Sequence, residues 1–310
     1  MKPALWALGS ALLLLALPLL IGNPFYVGIA THVLVFAMLA LSLNILLGYG
    51  GMTSLGHATY LGVPAYVCAK LAAAGVAAPL AAGGALLAGT LVAAVFGVLA
   101  LRARGLGFLM ITLALGQIVW GMAYRWVELT GGDNGVRLSA RPVFFGIDLS
   151  GAVSFYYFTA SVFAIALFCL WQLERSPYGA CLRGTRDQKR RMTMLGHNTW
   201  LIQWTAFVLS GFWGSVAGLI YVYDYGFVSP GTLSLQQSAE TLLMVILGGA
   251  GTLAGPVVGA VIITLVRLVA STYIDRWFTL LGVIFIVAVL FMPQGIVPGV
   301  RALFRKRRPA

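Results

Sequence analysis

Apolar residues run almost unbroken along this chain, and the polar ones gather in a few short islands. From Pro3 to Ala69 there is no Lys, Arg, Asp or Glu. A membrane-crossing helix needs about 20 residues, so that stretch alone passes through a bilayer more than once. Backbone polar groups in lipid must be paired within their own segment, so apolar runs of this length predict helices. At roughly 20 residues a span, the pattern predicts about ten of them. Their approximate limits are 4–22, 25–48, 57–74, 78–101, 105–124, 153–173, 201–223, 239–249, 254–271 and 277–293. The segments 57–74 and 239–249 are short for a full span, and short, glycine-interrupted segments often mark broken helices near a transport path. The run after Lys2 resembles a signal peptide, but about 18 apolar residues exceed the usual 7–15. A retained first span is expected. The expected fold class is an all-α polytopic membrane protein with some helices short or broken.

Composition agrees with lipid as the solvent. The chain has 310 residues, 60% hydrophobic and 9% charged, whereas soluble chains carry about 25% charge. A soluble protein would need a polar exterior that is not available here. The net charge of +12 does not call for nucleic acid, because its distribution has a simpler cause. Lys2, Arg102, Arg104, six residues of an island at 174–200, and Arg301, Arg305, Lys306, Arg307 and Arg308 all fall on one side of the expected topology. This is the positive-inside pattern. It puts the N-terminus, the 102–104 turn, the island and the 294–310 tail inside, and 125–152, 224–238 and 272–276 outside. The basic tail acts as a stop-transfer anchor and can touch anionic lipid headgroups.

The island Glu174–Trp200 holds Arg175, Arg183, Arg186, Lys189, Arg190 and Arg191 against only Glu174 and Asp187. Thr185 to Gln188 fits a capping box, with Thr185 as N-cap and Gln188 at the third helical position. Gly196 supplies a helix stop. The expectation is a short helix at Thr185–Leu195 on the membrane surface, a handle for a soluble partner. The plainer reading is a solvated loop whose charges only set topology.

Two glycine-rich breaks interrupt the apolar pattern. Gly48–His57 has four glycines in ten residues, and such a break in lipid must be buried in protein or line a cavity. Leu247–Pro256 is the second. There Pro256 suits a first helical turn, and Gly251, Gly255 and Gly259, four residues apart, permit close helix contact. Glu240 and Arg267, at the outer ends of neighbouring spans, are expected to pair, since an ionisable residue within a span normally finds a partner.

Several chemistries have no carrier. There is no GxxxxGK[ST] for ATP and no HExxH, GxSxG or Ser/His/Asp grouping for catalysis. Cys68, Cys169 and Cys181 show no ligand spacing, so three free thiols, no metal and no cofactor are expected. His32, His57 and His197 read as packing residues more readily than as a proton relay. With Glu240 the only acid near a span interior, no energy source of the chain's own is evident, which points to a partner that supplies it.

Five stretches, in order, resemble the permease subunits of branched-chain amino-acid ABC importers (leucine/isoleucine/valine type), specifically the M-type member of the pair. They are Leu43–Ala58 (LNILLGYGGMTSLGHA), Leu129–Gly135 (LTGGDNG), Gly226–Pro230 (GFVSP), Glu240–Pro256 (ETLLMVILGGAGTLAGP) and Met292–Gly295 (MPQG). The island matches too, through Ser176–Gly179, Arg183–Asp187 and Leu195-Gly196. Two positions depart from the family: Met52 stands where it has Gln, and Gln188–Met192 is basic where it has small and acidic residues.

The resemblance implies one transmembrane permease domain, 1–310, with a cytoplasmic coupling loop at 174–200, an external loop at 125–152 and a basic cytoplasmic tail at 301–310. It implies no ATPase site of its own. The implied partners are a second homologous permease subunit, two cytoplasmic ATP-binding subunits offering acids to Lys189, Arg190 and Arg191, and a periplasmic solute-binding protein, all at the inner membrane. Thr185, Arg186, Asp187, Gln188, Met192, Leu195 and Gly196 would couple to the ATPase. Gly48, Gly50, Gly51, Thr53, Ser54, His57, Asn134 and Glu240 would border the transport path. The reading from a different class is a self-contained secondary carrier or channel. An integral membrane enzyme has no supporting residues.

Overall fold

The computed structural model describes residues 18, 23–138, 141, 143–144, 147–273, 277–291 and 295–299. The expected span 4–22, the 301–310 tail and most of Met292–Gly295 therefore lie outside the described residues. The helices are α1 (Pro24–Asn44), α2 (Thr59–Ala73), α3 (Ala78–Ala100), α4 (Leu106–Arg125), α5 (Ala152–Arg175), α6 (Pro177–Met194), α7 (Thr199–Tyr225), α8 (Leu235–Gly248), α9 (Ala254–Tyr273) and α10 (Trp277–Phe291). The nine expected spans from 25 onward fall on α1–α5 and α7–α10. Among the described residues, five segments are long and apolar enough to cross a membrane: α1 with its extension to Tyr49, α3, α4, α5 and α7. The remaining helices do not meet that standard of length and apolarity over their described residues, so a count of ten full spans does not follow.

The helix starts have local causes. Asn23 accepts from the Phe25 amide at 3.0 Å ahead of Pro24, Asn198 accepts from Leu201 at 3.1 Å, and Ser234 accepts from Gln237 at 3.2 Å. Each satisfies an amide that the first helical turn leaves without a partner.

Helix α1 is the axis of the molecule. Val35 to Leu46 are all buried, and α1 packs against α5, α7, α8 and α9. Helix α7 forms the second axis, against α2 and α3. Small residues allow that approach: a Cβ on Gly211 would meet Ala93, and one on Gly218 would meet the Leu61 carbonyl. Helices α3, α4 and α5 turn Leu87, Leu91, Leu106, Met110, Ile118, Ile165 and Phe168 outward. So much exposed apolar surface is unusual in water and is expected against lipid.

The loop between α4 and α5 carries a helical turn (Val127–Thr130), a 3₁₀ turn (Gly132–Asn134) and short strands β1 (Val136–Arg137), β2 (Val143–Phe144) and β3 (Ile147–Asp148). β1 pairs antiparallel with β4 (Phe227–Val228), Val136 opposite Val228, and β2 pairs with β3. This pins the loop over the end of α7.

Candidate functional site

The first glycine break is a built structure. Helix α1 continues as a π-helical turn, Ile45–Tyr49. The amides of Gly50, Gly51 and Met52 then donate back to Ile45, Leu47 and Leu46 at 3.1, 3.2 and 2.9 Å. Gly51 has φ +66°, the left-handed region that favours glycine. The non-helical segment that follows is held by neighbouring helices. Thr112 Oγ1 accepts from the Leu55 amide at 3.3 Å, and Ser238 Oγ accepts from the Ala58 amide at 3.0 Å. Ser54 is buried, and its Oγ accepts from Gly56 at 3.4 Å. The fully buried His57 sits with Nε2 2.7 Å from Ser42 Oγ, and Ser210 Oγ donates to the Ser42 carbonyl at 2.6 Å. The break is thus largely buried in protein, as lipid requires, with Gly51 exposed and Thr53 and Leu55 half-buried.

The second break meets the first. Asn44 Nδ2 donates to the Thr252 carbonyl at 3.0 Å, and its Oδ1 accepts from the Gly251 amide at 2.9 Å. One buried amide side chain therefore ties the end of α1 to the α8–α9 turn. A Cβ on Gly48 would collide with Asn44 Oδ1 and the Gly251 backbone, so the contact needs glycine there. Gly255 and Gly259 lie against α8, where added Cβ atoms would strike the Gly249 and Met244 carbonyls respectively.

The polar island folds differently from the capping-box expectation. Helix α6 starts at Pro177, and its N-cap is Ser176, whose Oγ accepts from the Gly179 amide at 3.1 Å. Proline at the first helical position leaves Ser176 the better start. Thr185 is instead inside the helix, buried, donating to the Cys181 carbonyl at 2.8 Å. Gln188 is where the helix breaks, at φ −150° and ψ 90°. The expected helix Thr185–Leu195 is therefore two pieces joined at Gln188, and the chain folds back so that Met192 packs on Gly184. The stop at Gly196 is as expected. Its φ is +84°, and the amides of Gly196 and His197 reach Thr193 and Met192 at 3.0 and 3.1 Å, a Schellman closure. Tyr178 anchors α6 to α7, its hydroxyl donating to the Ile202 carbonyl at 2.8 Å beside Thr205. Burial pushes that phenol up to about 12, against the opposing effect of the Thr205 hydrogen bond.

Arg186 joins the island to the break. Its Nη1 donates to the Gly48 carbonyl at 2.6 Å, while its Nε holds the largely exposed Asp187 at 3.1 Å. A Cβ on Gly51 would press on the Arg186 side chain. Gly50, Gly51, Thr53, Thr185 and Arg186 line one cavity of 420 Å³, together with Arg104, Lys189 and Gln203. Lys189 donates to Gln203 Oε1 at 2.5 Å. Burial first, and then the charge of Arg104, hold the Lys189 ammonium below its usual pKa. The basic run 189–191 is therefore divided: Lys189 turns inward, while Arg190 and Arg191 stay exposed, with Met194 and Leu195 exposed beyond them.

Other candidates lie elsewhere. Asn134 is exposed in the α4–α5 loop. Glu240 is buried in α8, eight residues and so about 12 Å before its glycine end. It starts no helix, since α8 begins at Leu235, but it does meet Arg267, Nη1 to Oε2 at 3.2 Å. Arg267 also lies over the Phe36 ring, 5.0 Å from its centroid. The sequence reading missed Asn44, Arg104 and Gln203 as participants. A lone Asn in a charge-free apolar run, one turn before a glycine break, was the available signal for the first. Among the described residues no group of three or more His, Cys, Asp or Glu could hold a metal ion.

Comparison with known proteins adds a family. The sequence profile described as "Branched-chain amino acid transport system / permease component" matches residues 25–292. The chain is 27% identical to the high-affinity branched-chain amino acid transport system permease protein LivM of Escherichia coli K12, the match covering 100% of this chain and 78% of that protein. For LivM of Salmonella typhimurium the figures are 28%, 89% and 70%. The autoinducer 2 import system permease protein LsrC of Salmonella paratyphi B is 30% identical over 45% of this chain and 39% of its own length. No solved structure matches the chain.

Proposed function

We propose that this chain, which belongs to the family of permease components of branched-chain amino acid transport systems, is the M-type transmembrane subunit of an ABC importer for amino acids, branched-chain ones first among them. It is a multi-pass membrane protein of a multi-subunit transport system. The partners that complete the reading are a second homologous permease, two cytoplasmic ATP-binding subunits and a periplasmic solute-binding protein. ATP hydrolysis belongs to the separate subunits. The inner membrane, with both termini and α6 on the cytoplasmic side, is the placement that the basic residues favour.

The observation that carries the mechanism is the hydrogen bond from Arg186 to Gly48. The exposed edge of α6, with Asp187, Arg190, Arg191, Met194 and Leu195, offers mixed charge and apolar surface to an ATPase groove. Movement of that edge pulls on Arg186, and Arg186 holds the carbonyl at the point where α1 breaks. The break in turn holds the α8–α9 turn through Asn44. Force on the coupling segment thereby reaches both glycine breaks, whose backbone groups border the proposed path for a zwitterionic solute.

The test is purification of the chain with candidate partners, followed by ATPase assay with and without a loaded binding protein. Stimulation by the loaded form supports the reading. Solute uptake by this chain alone, driven by an ion gradient, would replace it with a secondary carrier.

A further inference from the structure

The cavity between the island and the membrane domain has a charge pattern that coupling does not require. Arg104, Arg186 and Lys189 line it, and no carboxylate does. Arg186 is partly satisfied by Asp187 and Gly48. Arg104 is exposed in the turn between α3 and α4, and the structure gives it no acceptor among the described residues. Lys189 is half-buried beside it, and its ammonium donates to a neutral amide oxygen. Two cations held together without an anion repel each other, and that repulsion adds to burial, the larger cause, in depressing the Lys189 ammonium. The Thr53 amide, which has no acceptor among the described residues, belongs to the same lining. The lining also has apolar members beside these cations: Leu101, Leu106, Phe108 and Leu109. From them, Leu106 and Met110 continue outward, 80% and 70% exposed.

We propose that this cavity binds a phosphate-bearing anion, with Arg104 and Lys189 on the phosphate. A lipid headgroup is one source, since the apolar lining can take an acyl chain while the cations take the phosphodiester. A soluble phosphate is the other. Occupancy would neutralise the charge repulsion beneath Arg186 and so favour the arrangement in which Arg186 reaches Gly48. This goes beyond the transport reading, and binding can be read with neither partner nor transport. Its failure would leave that reading standing.

The experiment is amine labelling of Lys189 relative to Lys70, using the full chain in nanodiscs of three compositions: phosphatidylcholine alone, phosphatidylcholine with phosphatidylglycerol, and phosphatidylcholine with inorganic phosphate in the buffer. Lys70, which is outside the cavity lining, is the internal reference for the general effect of phosphatidylglycerol on amine reactivity. The expected result is a several-fold slowing at Lys189 in one of the latter two samples. Slowing with phosphatidylglycerol only assigns a lipid, and slowing with inorganic phosphate assigns a soluble anion. The protection should vanish in Arg104→Gln and persist in Arg104→Lys. An unchanged ratio in all three samples, or equal protection in Arg104→Gln, overturns the proposal.

Discussion

Arg186 Nη1 and the Gly48 carbonyl, 138 residues apart in sequence, meet at 2.6 Å. The carbonyl is available because the π-turn at Ile45–Tyr49 ends the regular ladder of α1. The guanidinium reaches it because Gly51 has no side chain in the way. A polar surface segment and a buried helix break thus share one charge-assisted bond, stronger than a neutral one.

Gly51 is the position where that contact is most easily disturbed. Alanine there carries roughly 1–2 kcal/mol of left-handed backbone strain and pushes on Arg186. Gly51→Ala should lower uptake several-fold at near-normal membrane levels, and Gly51→Leu should abolish it. Uptake assays scaled to quantified membrane protein check this, and normal transport by Gly51→Leu would remove the break from the path.

Asn44 should matter for stability as well as transport. Asn44→Ala deletes two hydrogen bonds and strands the Gly251 amide and Thr252 carbonyl. A fully buried group left unpaired costs about 1–3 kcal/mol, and Gly251 and Thr252 are half-buried, so each costs less than that. Thermal unfolding in detergent should show a marked fall in midpoint, larger than for alanine at Thr53. An unshifted midpoint would mean the two breaks are not held together by this side chain.

The Glu240–Arg267 pair gives a charge test. Its carboxylate is 5% exposed and its guanidinium 28% exposed, so the pair is sheltered, and hydrogen bonds to charged groups contribute about 1.5–3 kcal/mol. Glu240→Arg and Arg267→Glu should each destabilise the chain, and the double exchange should recover part of the loss. A double variant no better than the worse single one would show that the two charges act separately.

The helices were legible because lipid leaves so few alternatives. Runs such as 78–101 and 105–124 lie within a residue or two of α3 and α4 at each end, since an apolar segment in a bilayer must close its own hydrogen bonds. The Glu240–Arg267 pair was legible for a similar reason: charge in a span looks for a partner. The interior of the island was not. Thr185–Gln188 satisfies a local capping rule, but Ser176-Pro177 supplies a stronger start nine residues earlier, and Gln188 becomes a break. Local sequence also says nothing of which carbonyl Arg186 will find, because that depends on how α1 and α6 pack. Asn44 was hidden likewise, since its partners lie 207 and 208 residues away.

The most direct measurement of the central claim is solute moved per ATP hydrolysed by the reconstituted complex, comparing wild type, Arg186→Ala and Arg186→Lys. The account predicts that Arg186→Ala keeps ATP hydrolysis but moves far less solute per ATP, and that Arg186→Lys, which retains a donor of similar reach, recovers part of the ratio. An unchanged ratio in Arg186→Ala would contradict it.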